Sequence, residues 1–203
     1  MATVSLTEAS HALAQTSEVM AGLVQRFGPA RFGPKPPVGE RFEVLSREIA
    51  YQQLAGKAAG AIWGRVREQA SEWAPGAVLA LGEQPLREAG LSGAKTRAML
   101  DLAAHCEQGL LDLAKLGRLS DQEVVNQLSQ VWGIGTWTAH MFLIFSLRRL
   151  DVWPVGDFGV RKGYGLAHNW TEPPTAEELD SLGEQFRPYR SVAAWYCWRA
   201  TEI

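Results

Sequence analysis

Apolar residues recur along this chain at the i, i+3, i+4, i+7 spacing that places them on one face of a helix. Three segments carry the pattern, and their apolar positions are Phe42, Leu45 and Ile49, then Ala59, Ile62, Trp63 and Val66, then Met99, Leu102, Ala103, Cys106 and Leu110. Residues 141–145 are apolar on every side, so the helix that contains them is expected to be buried. The alternation typical of β-strands does not extend over a useful length. The predicted fold class is therefore all-α.

Polar residues at characteristic spacings mark where helices start. Ser120 and Glu123 have the spacing of a capping box, in which each side chain binds the backbone N–H of the other residue. Thr175 and Glu178 repeat this spacing nearer the C-terminus. A further helix is predicted over 17–27, because a Gly-Pro pair follows it directly and stops it.

Gly133, Ile134 and Gly135 form a short turn between two predicted helices, the first ending at 131–132 and the second opening near Thr136. Glycine accepts positive φ and permits close backbone approach, as a narrow hairpin requires. Ile134 is expected to fold inward and pin the two helices together. N–H groups at a helix N-terminus have no intrahelical partner and suit a phosphate oxygen. This pattern is typical of a helix-hairpin-helix clamp on a DNA backbone, although a purely structural connection between helices can also use glycine.

Asp157 lies 24 residues after Gly133. A helix over 137–147, followed by a short proline-containing return, would bring its carboxylate back beside the hairpin. An aspartate between a glycine and a helical segment is also a common helix N-cap. The two roles are compatible, because the N-terminus of a helix stabilises an ionised carboxylate.

The hairpin turn and the aspartate that follows it resemble the motif of the helix-hairpin-helix (HhH-GPD) DNA glycosylase superfamily, which ends in a catalytic aspartate. Within it, the chain is similar to the alkylated-base branch, 3-methyladenine DNA glycosylase II. The likeness extends over about 42–199. It implies that Asp157 is catalytic and that the protein flips 3-methyladenine and 7-methylguanine out of duplex DNA and hydrolyses their N-glycosidic bonds. The alternatives are a glycosylase for a deaminated or oxidised purine, and a non-catalytic helix-hairpin-helix module that only binds DNA.

The same resemblance implies a single HhH-GPD unit over 1–203, built as two helical lobes with the active-site cleft between them. The central lobe is expected over 41–149 and contains the hairpin at 128–147. Residues 1–40 and 150–203 are expected to form the second lobe.

Trp137 stands where superfamily members that also cut the DNA backbone have a lysine, which forms a Schiff base with the sugar. Tryptophan cannot form this bond, so the resemblance implies a monofunctional glycosylase. It also implies that Trp137, Phe158 and Trp198 line the pocket for the flipped base. Packing in the core is the alternative for such large aromatic residues. For Trp195 and Tyr196, the sequence leaves pocket and core equally open.

Two segments are the predicted DNA contacts. Gln53 or Leu54 matches the position where the family inserts a side chain into the gap left by the flipped base. The sequence does not decide between them, and a helix end packed on its neighbour is the alternative. In the hairpin, the predicted DNA-binding residues are Gly133, Ile134, Gly135 and Thr136.

No cofactor is expected to be required. The resemblance implies a structural Na⁺ or K⁺ at the hairpin, because backbone carbonyl oxygens suit a hard cation. The carbonyls concerned are those of Ser129, Val131 and Gly133. The iron–sulfur branch of the superfamily needs four closely spaced cysteines. This chain has only Cys106 and Cys197, which are expected to be buried reduced thiols, so no cluster is expected.

The formal net charge of −2 over 203 residues gives no basic footprint, so the overall charge does not indicate DNA binding. No apolar run of membrane length and no leader pattern are found in the sequence. The chain is expected to be a soluble monomer that binds duplex DNA containing alkylated bases and no membrane. Its expected location is the cytoplasm, with the nucleoid, in a bacterium, or the nucleus in a eukaryote.

Overall fold

The computed structural model describes residues 4–54 and 56–202, and within them it contains helices and no β-strand. The α-helices are α1 Leu6–Ala14, α2 Glu18–Phe27, α3 Arg41–Tyr51, α4 Gly56–Arg67, α5 Pro75–Leu81, α6 Glu83–Glu88, α7 Gly93–Glu107, α8 Asp121–Leu128, α9 Thr136–Met141, α10 Phe158–Ala167, α11 Ala176–Gly183 and α12 Arg190–Ala200. Short 3₁₀ helices lie at Val38–Glu40, Leu116–Arg118 and Glu184–Phe186, and a π-helix at Phe142–Leu147. The all-α prediction is confirmed.

Local capping sets the starts of several helices. The Ser120 N–H donates to Glu123 Oε2 at 2.7 Å, and the Glu123 N–H donates to Ser120 Oγ at 3.3 Å, so the predicted capping box opens α8. Thr175 and Glu178 form the same box before α11. The helix predicted over 17–27 is α2, with the Ser17 side chain as its N-cap. These starts were predictable because both partners lie within one turn.

Two predicted helical features are wrong, and a tertiary contact explains the first and turn geometry the second. The helix before the hairpin ends at Leu128, not at 131–132, and the Trp132 N–H donates to Asp101 Oδ2 at 2.7 Å rather than to a helical carbonyl. Leu110 is 61% exposed, because α7 ends at Glu107 and Gly109 turns the chain with φ 72°. The helix predicted over 137–147 is present, α-helical over Thr136–Met141 and continuing as the π-helix over Phe142–Leu147.

The described residues divide into two compact units. Those within Met1–Pro34 and Arg148–Ile203 form one, here called the terminal unit. Those within Lys35–Leu147 form the other, the central unit. The predicted boundary between the lobes lies after residue 40, whereas the observed boundary lies after Pro34. The 3₁₀ helix Val38–Glu40 runs directly into α3 and belongs to the central unit.

Each unit has its own apolar core. In the central unit, most residues of the predicted apolar faces are buried, whereas Ile62, Trp63 and Cys106 are partly buried. The buried residues include Phe42, Leu45, Ile49, Ala59, Val66, Met99, Leu102, Ala103, Phe142, Leu143 and Ile144. In the terminal unit, α10 packs closely on α12, since a Cβ on Gly163 would overlap the Cys197 carbonyl. Tyr196 is fully buried there, and its hydroxyl donates to the Gly28 carbonyl at 2.8 Å.

Both cysteines are free thiols, Cys197 buried and Cys106 partly buried. Burial raises the pKa of Cys197 to about 12, and the neighbouring Asp157 charge adds to the rise. Burial, with smaller contributions from Glu107 and Asp112, raises the pKa of Cys106 to about 11. Both groups are therefore protonated and weakly nucleophilic at neutral pH.

Among the described helices, none is long and apolar enough to cross a membrane.

Candidate active site and nucleic-acid interface

Asp157 is the N-cap of α10 in the terminal unit, and only 9% of it is exposed. Its Oδ1 accepts the Val160 N–H at 2.7 Å and the Trp198 indole N–H at 2.9 Å. The N-cap interpretation of Asp157 is thus confirmed. A carboxylate held by two N–H donors at a helix N-terminus has a fixed orientation and a stabilised negative charge.

The loop before Asp157 is held on both sides. The Asp157 N–H donates to the Pro154 carbonyl at 2.8 Å, which closes a tight turn. Asp151 accepts from Arg190 Nε at 2.8 Å and from Arg187 Nη1 at 2.7 Å, and these ion pairs tie the start of the loop to α12 and the segment before it. The proline-containing return therefore places the carboxylate through several independent contacts.

Glycine at the start of α10 lets the Trp198 indole reach the carboxylate. A Cβ on Gly159 would lie 2.9 Å from Trp198 Cδ1 and 3.0 Å from Asp157 Oδ1. One turn later, Gly163 allows the contact with the α12 backbone described above. Sequence reasoning missed both glycines. Their four-residue spacing on a helix that follows the candidate aspartate was the available signal, because small residues at that spacing permit close helix packing.

The predicted aromatic residues have different environments. Trp198 is partly buried and bonded to Asp157. Phe158 is 60% exposed, with the Arg161 guanidinium 5.6 Å from its ring centre. Trp137 is the second residue of α9 in the central unit and is 40% exposed, so it is not a core residue. Tyr196 belongs to the core.

The two glycines of the hairpin have different conformations, and only Gly133 has the expected positive φ. Gly133 has φ +82°, and a Cβ there would lie 2.8 Å from the Ala98 Cβ of α7. Ile134 is 3% exposed, which confirms that its side chain folds inward. Gly135 has extended backbone, and a Cβ there would meet nothing within 4 Å. Gly133 thus allows internal packing, whereas Gly135 and the exposed Thr136 face open space that a phosphate could enter.

The Gln52 side chain, directly before the two candidate wedge residues, ties that segment to the hairpin. Its Nε2 donates to the Gly133 carbonyl and to Thr138 Oγ1, each at 3.1 Å. Gln53 is exposed in a left-handed conformation with φ 57°, and Leu54 is 40% exposed. Gln52 therefore packs on a neighbouring element, whereas both candidate wedge side chains face solvent.

The α7 helix supports the same region from the other side. Asp101 accepts the Trp132 N–H, and the Arg97 guanidinium lies 4.3 Å from the Trp132 ring centre. Lys95 Nζ donates to the Ala50 carbonyl near the end of α3 at 2.8 Å. No local sequence signal identifies these supports, because each joins residues more than 30 positions apart.

We expect Gly135→Val to fold normally and to weaken binding to an abasic-site duplex by roughly 10- to 100-fold, whatever the sequence, because a contact to a charged phosphate contributes about 1.5–3 kcal/mol. Gly133→Ala should instead lower the melting temperature, since its Cβ meets Ala98 and its φ is positive. Melting curves and equilibrium titrations separate the two effects. Unchanged affinity in a folded Gly135→Val protein would mean that the turn is only structural.

Comparison with known proteins identifies the family of this chain. The model of the HhH-GPD superfamily base excision DNA repair protein matches residues 46–188. Over 203 aligned residues, the chain is 34% identical to DNA-3-methyladenine glycosylase 1 of Schizosaccharomyces pombe. The alignment covers 98% of this chain and 89% of that protein.

Solved structures agree with the sequence match. The Schizosaccharomyces pombe 3-methyladenine DNA glycosylase in complex with abasic DNA has a TM-score of 0.89 and 32% identity, covering 97% of this chain and 98% of that chain. DNA-3-methyladenine glycosidase from Bacillus halodurans has a TM-score of 0.83 and 32% identity, covering 98% and 92%. The chain belongs to the HhH-GPD superfamily of base excision DNA repair proteins, and the resemblance inferred from its hairpin and aspartate is confirmed.

Proposed function

We propose that this protein is a monofunctional DNA glycosylase that removes alkylated purines, 3-methyladenine and 7-methylguanine, from duplex DNA and leaves an abasic site. The observation that carries the proposal is the buried Asp157 carboxylate at the N-terminus of α10, held by Val160 and Trp198. The family membership of the chain, and its similarity over 98% of its length to a DNA-3-methyladenine glycosylase, support the same substrate class.

Asp157 suits the chemistry of N-glycosidic bond cleavage. As the bond breaks, the sugar acquires oxocarbenium character, and a fixed negative charge nearby stabilises that positive charge. The same carboxylate orients the attacking water or accepts its proton. A methylated purine is cationic and leaves without prior protonation, so one carboxylate suffices.

Trp137, Phe158 and Trp198 are the proposed contacts of the flipped base. The faces of aromatic rings carry partial negative charge and attract a cationic ring. Trp198 has a second role, because its N–H also orients Asp157.

The hairpin and the wedge turn are the proposed DNA contacts. Backbone N–H groups around Gly135 and Thr136 bind a phosphate, next to the buried anchor Ile134. Gln53 or Leu54 fills the gap left by the flipped base, and the bonds of Gln52 to the hairpin hold that turn in register.

A monovalent cation, Na⁺ or K⁺, is the proposed additional ligand of the hairpin, held by backbone carbonyls. The Gly133 carbonyl accepts one hydrogen bond from Gln52, and the Val131 carbonyl accepts one from the Ile134 N–H at 3.1 Å. A carbonyl oxygen has two lone pairs, so both retain capacity for a cation, together with Ser129. The cation would supply positive charge for phosphate binding, and the hydrolysis requires no cofactor.

The expected reaction stops at the abasic site, because residue 137 is tryptophan and cannot form a Schiff base. The product strand should stay intact until alkali or heat is applied, and borohydride should trap no protein–DNA adduct. Gel electrophoresis with and without alkali measures this. Efficient trapping would contradict monofunctionality and point to Lys162, one turn after Phe158, since Lys95 is engaged with Ala50.

The reaction itself is tested by incubating the protein with methylated duplex DNA and separating the released bases by chromatography. Release of 3-methyladenine and 7-methylguanine supports the proposal, and release of only deaminated or oxidised purines would contradict it. Binding without any release would favour a non-catalytic module. We further propose that the protein acts as a monomer, in the cytoplasm or the nucleus where its DNA lies.

A further inference from the structure

A cavity in the terminal unit is lined by residues that the reaction above does not use. It has a volume of about 440 Å³ and is lined by Phe27, Arg31, Trp195 and Arg199. Two guanidinium groups and two aromatic rings thus face one space. We call it the arginine–aromatic cavity.

The Arg199 side chain in this cavity is fixed by its neighbours. Its guanidinium carbon lies 5.1 Å from the Phe27 ring centre and 5.8 Å from that of Trp195. Its Nη1 forms an ion pair with Glu202 at 2.7 Å. Its Nε is buried and has no hydrogen-bond acceptor within the part of the chain that the structure describes.

The loop that carries Arg31 is anchored on both sides. The Ala30 N–H donates to Ser10 Oγ at 3.0 Å, and the Gly33 carbonyl accepts from Arg148 Nη2 at 2.7 Å. Arg31 itself is exposed between these anchors. The cavity therefore presents Arg31 from a fixed backbone, so that binding has to order only its side chain.

Positive charge is concentrated around the cavity in a protein whose net charge is −2. The positively charged residues are Arg26, Arg31 and Arg199. Within the described part of the chain, the carboxylate that forms an ion pair with one of them is that of Glu202, which binds Arg199. Among the described residues, no carboxylate lies within ion-pair distance of Arg26 or Arg31, so both charges are available to a ligand. The local excess of positive charge indicates an anionic ligand.

The position of the cavity on α12 relates it to the catalytic carboxylate. Arg199 directly follows Trp198, whose indole binds Asp157, and Trp195 precedes Trp198 by less than one turn. The cavity and the Trp198–Asp157 contact therefore share the last turns of α12.

We propose that the arginine–aromatic cavity binds a nucleotide of the damaged strand next to the one that is excised, an inference that rests on the proposed glycosylase function. Arg31 and Arg199 bind its phosphate, since guanidinium groups match phosphate oxygens in charge and geometry. Trp195 and Phe27 contact its base or sugar, because aromatic stacking recognises any nucleobase. This site supplies a local electrostatic contact that the overall charge of the protein does not provide.

The test compares Arg31→Gln and Trp195→Ala with the control Arg118→Gln, which removes one exposed positive charge from the 3₁₀ helix Leu116–Arg118 of the central unit. The dissociation constant for a duplex with a tetrahydrofuran abasic site is measured at several salt concentrations. Arg31→Gln should weaken binding and lower the magnitude of the salt slope by about one, as expected for one lost phosphate contact. Trp195→Ala should weaken binding by about tenfold without changing the slope.

In excision assays, the protein concentration that gives half-maximal rate should rise by the same factor as the dissociation constant. Addition of free dAMP should not displace the duplex, and displacement by dAMP near the duplex dissociation constant would overturn the assignment to the strand. Equal affinity and salt slope in Arg31→Gln, Arg118→Gln and the unmodified protein would overturn the site itself. Arg31 is exposed, so this variant is informative even if Trp195→Ala fails to fold. Failure of the glycosylase proposal has a separate signature, the absence of base release by the unmodified protein.

Discussion

Replacing Asp157 with asparagine is expected to reduce excision of 7-methylguanine by about 1000-fold or more, because the charge that stabilises the oxocarbenium-like sugar is lost. The fold should be retained. Asparagine is an effective N-cap, and its carbonyl oxygen still accepts the Val160 N–H and the Trp198 indole N–H. Affinity for DNA should be kept or increased, since a negative charge near the phosphates is removed. Single-turnover rates with saturating protein, together with melting curves, measure the effect.

Trp198→Phe is the matched control for this experiment. It keeps an aromatic ring but removes the indole N–H that binds Asp157, while the Val160 N–H remains. One hydrogen bond to a charged group contributes about 1.5–3 kcal/mol, so we expect a loss of roughly 10- to 100-fold, well below that of Asp157→Asn. Excision at the unmodified rate by a folded Asp157→Asn protein would remove Asp157 from the mechanism.

The second large effect is expected at Gly163, where α10 and α12 are in backbone contact. In Gly163→Ala, the added Cβ would overlap the Cys197 carbonyl, so the two helices must separate. Overpacking usually costs about 1–3 kcal/mol, and a clash with backbone should reach at least the upper end of that range. For a chain of this size, such a loss lowers the melting temperature by about 6–12 °C. The intrinsic helix preference of alanine over glycine, about 1 kcal/mol, does not offset it.

Gly22→Ala in α2 is the control, because a Cβ at this exposed position meets nothing within 4 Å. It should leave the melting temperature unchanged or raise it slightly. Excision by Gly163→Ala should also fall below the level explained by stability, since α10 begins beside Asp157 and α12 carries Trp198. A Gly163→Ala protein as stable as Gly22→Ala would contradict the close packing of these helices.

The sequence was sufficient for features whose partners lie within one or two helical turns. The capping boxes at Ser120 and Thr175 and the inward-folded Ile134 are of this kind. The N-cap at Asp157 also follows from neighbouring residues alone.

Features that depend on distant partners, or on a turn that stops a helix within its apolar pattern, were not predicted. Asp101 binds the Trp132 N–H, and Gln52 binds the hairpin from the end of α3. Leu110 fits the apolar spacing of α7 but lies beyond its end, because a turn, and not the hydrophobic pattern, decides where that helix stops. Trp198 was predicted to line the pocket for the flipped base. Its hydrogen bond to Asp157 was not predicted, because it depends on the contact between α10 and α12.

The ranking of substrates tests most directly whether the protein selects cationic alkylated purines. Single-turnover excision should be measured on matched duplexes containing 3-methyladenine, 7-methylguanine, hypoxanthine or uracil. Cationic bases leave more easily, and a contact with an aromatic face adds about 0.5–2 kcal/mol. We therefore predict much faster release of the two methylated purines, with Trp137→Ala and Trp198→Ala slowing them more than any neutral base that is accepted. Faster excision of hypoxanthine or uracil than of either methylated purine would contradict the account.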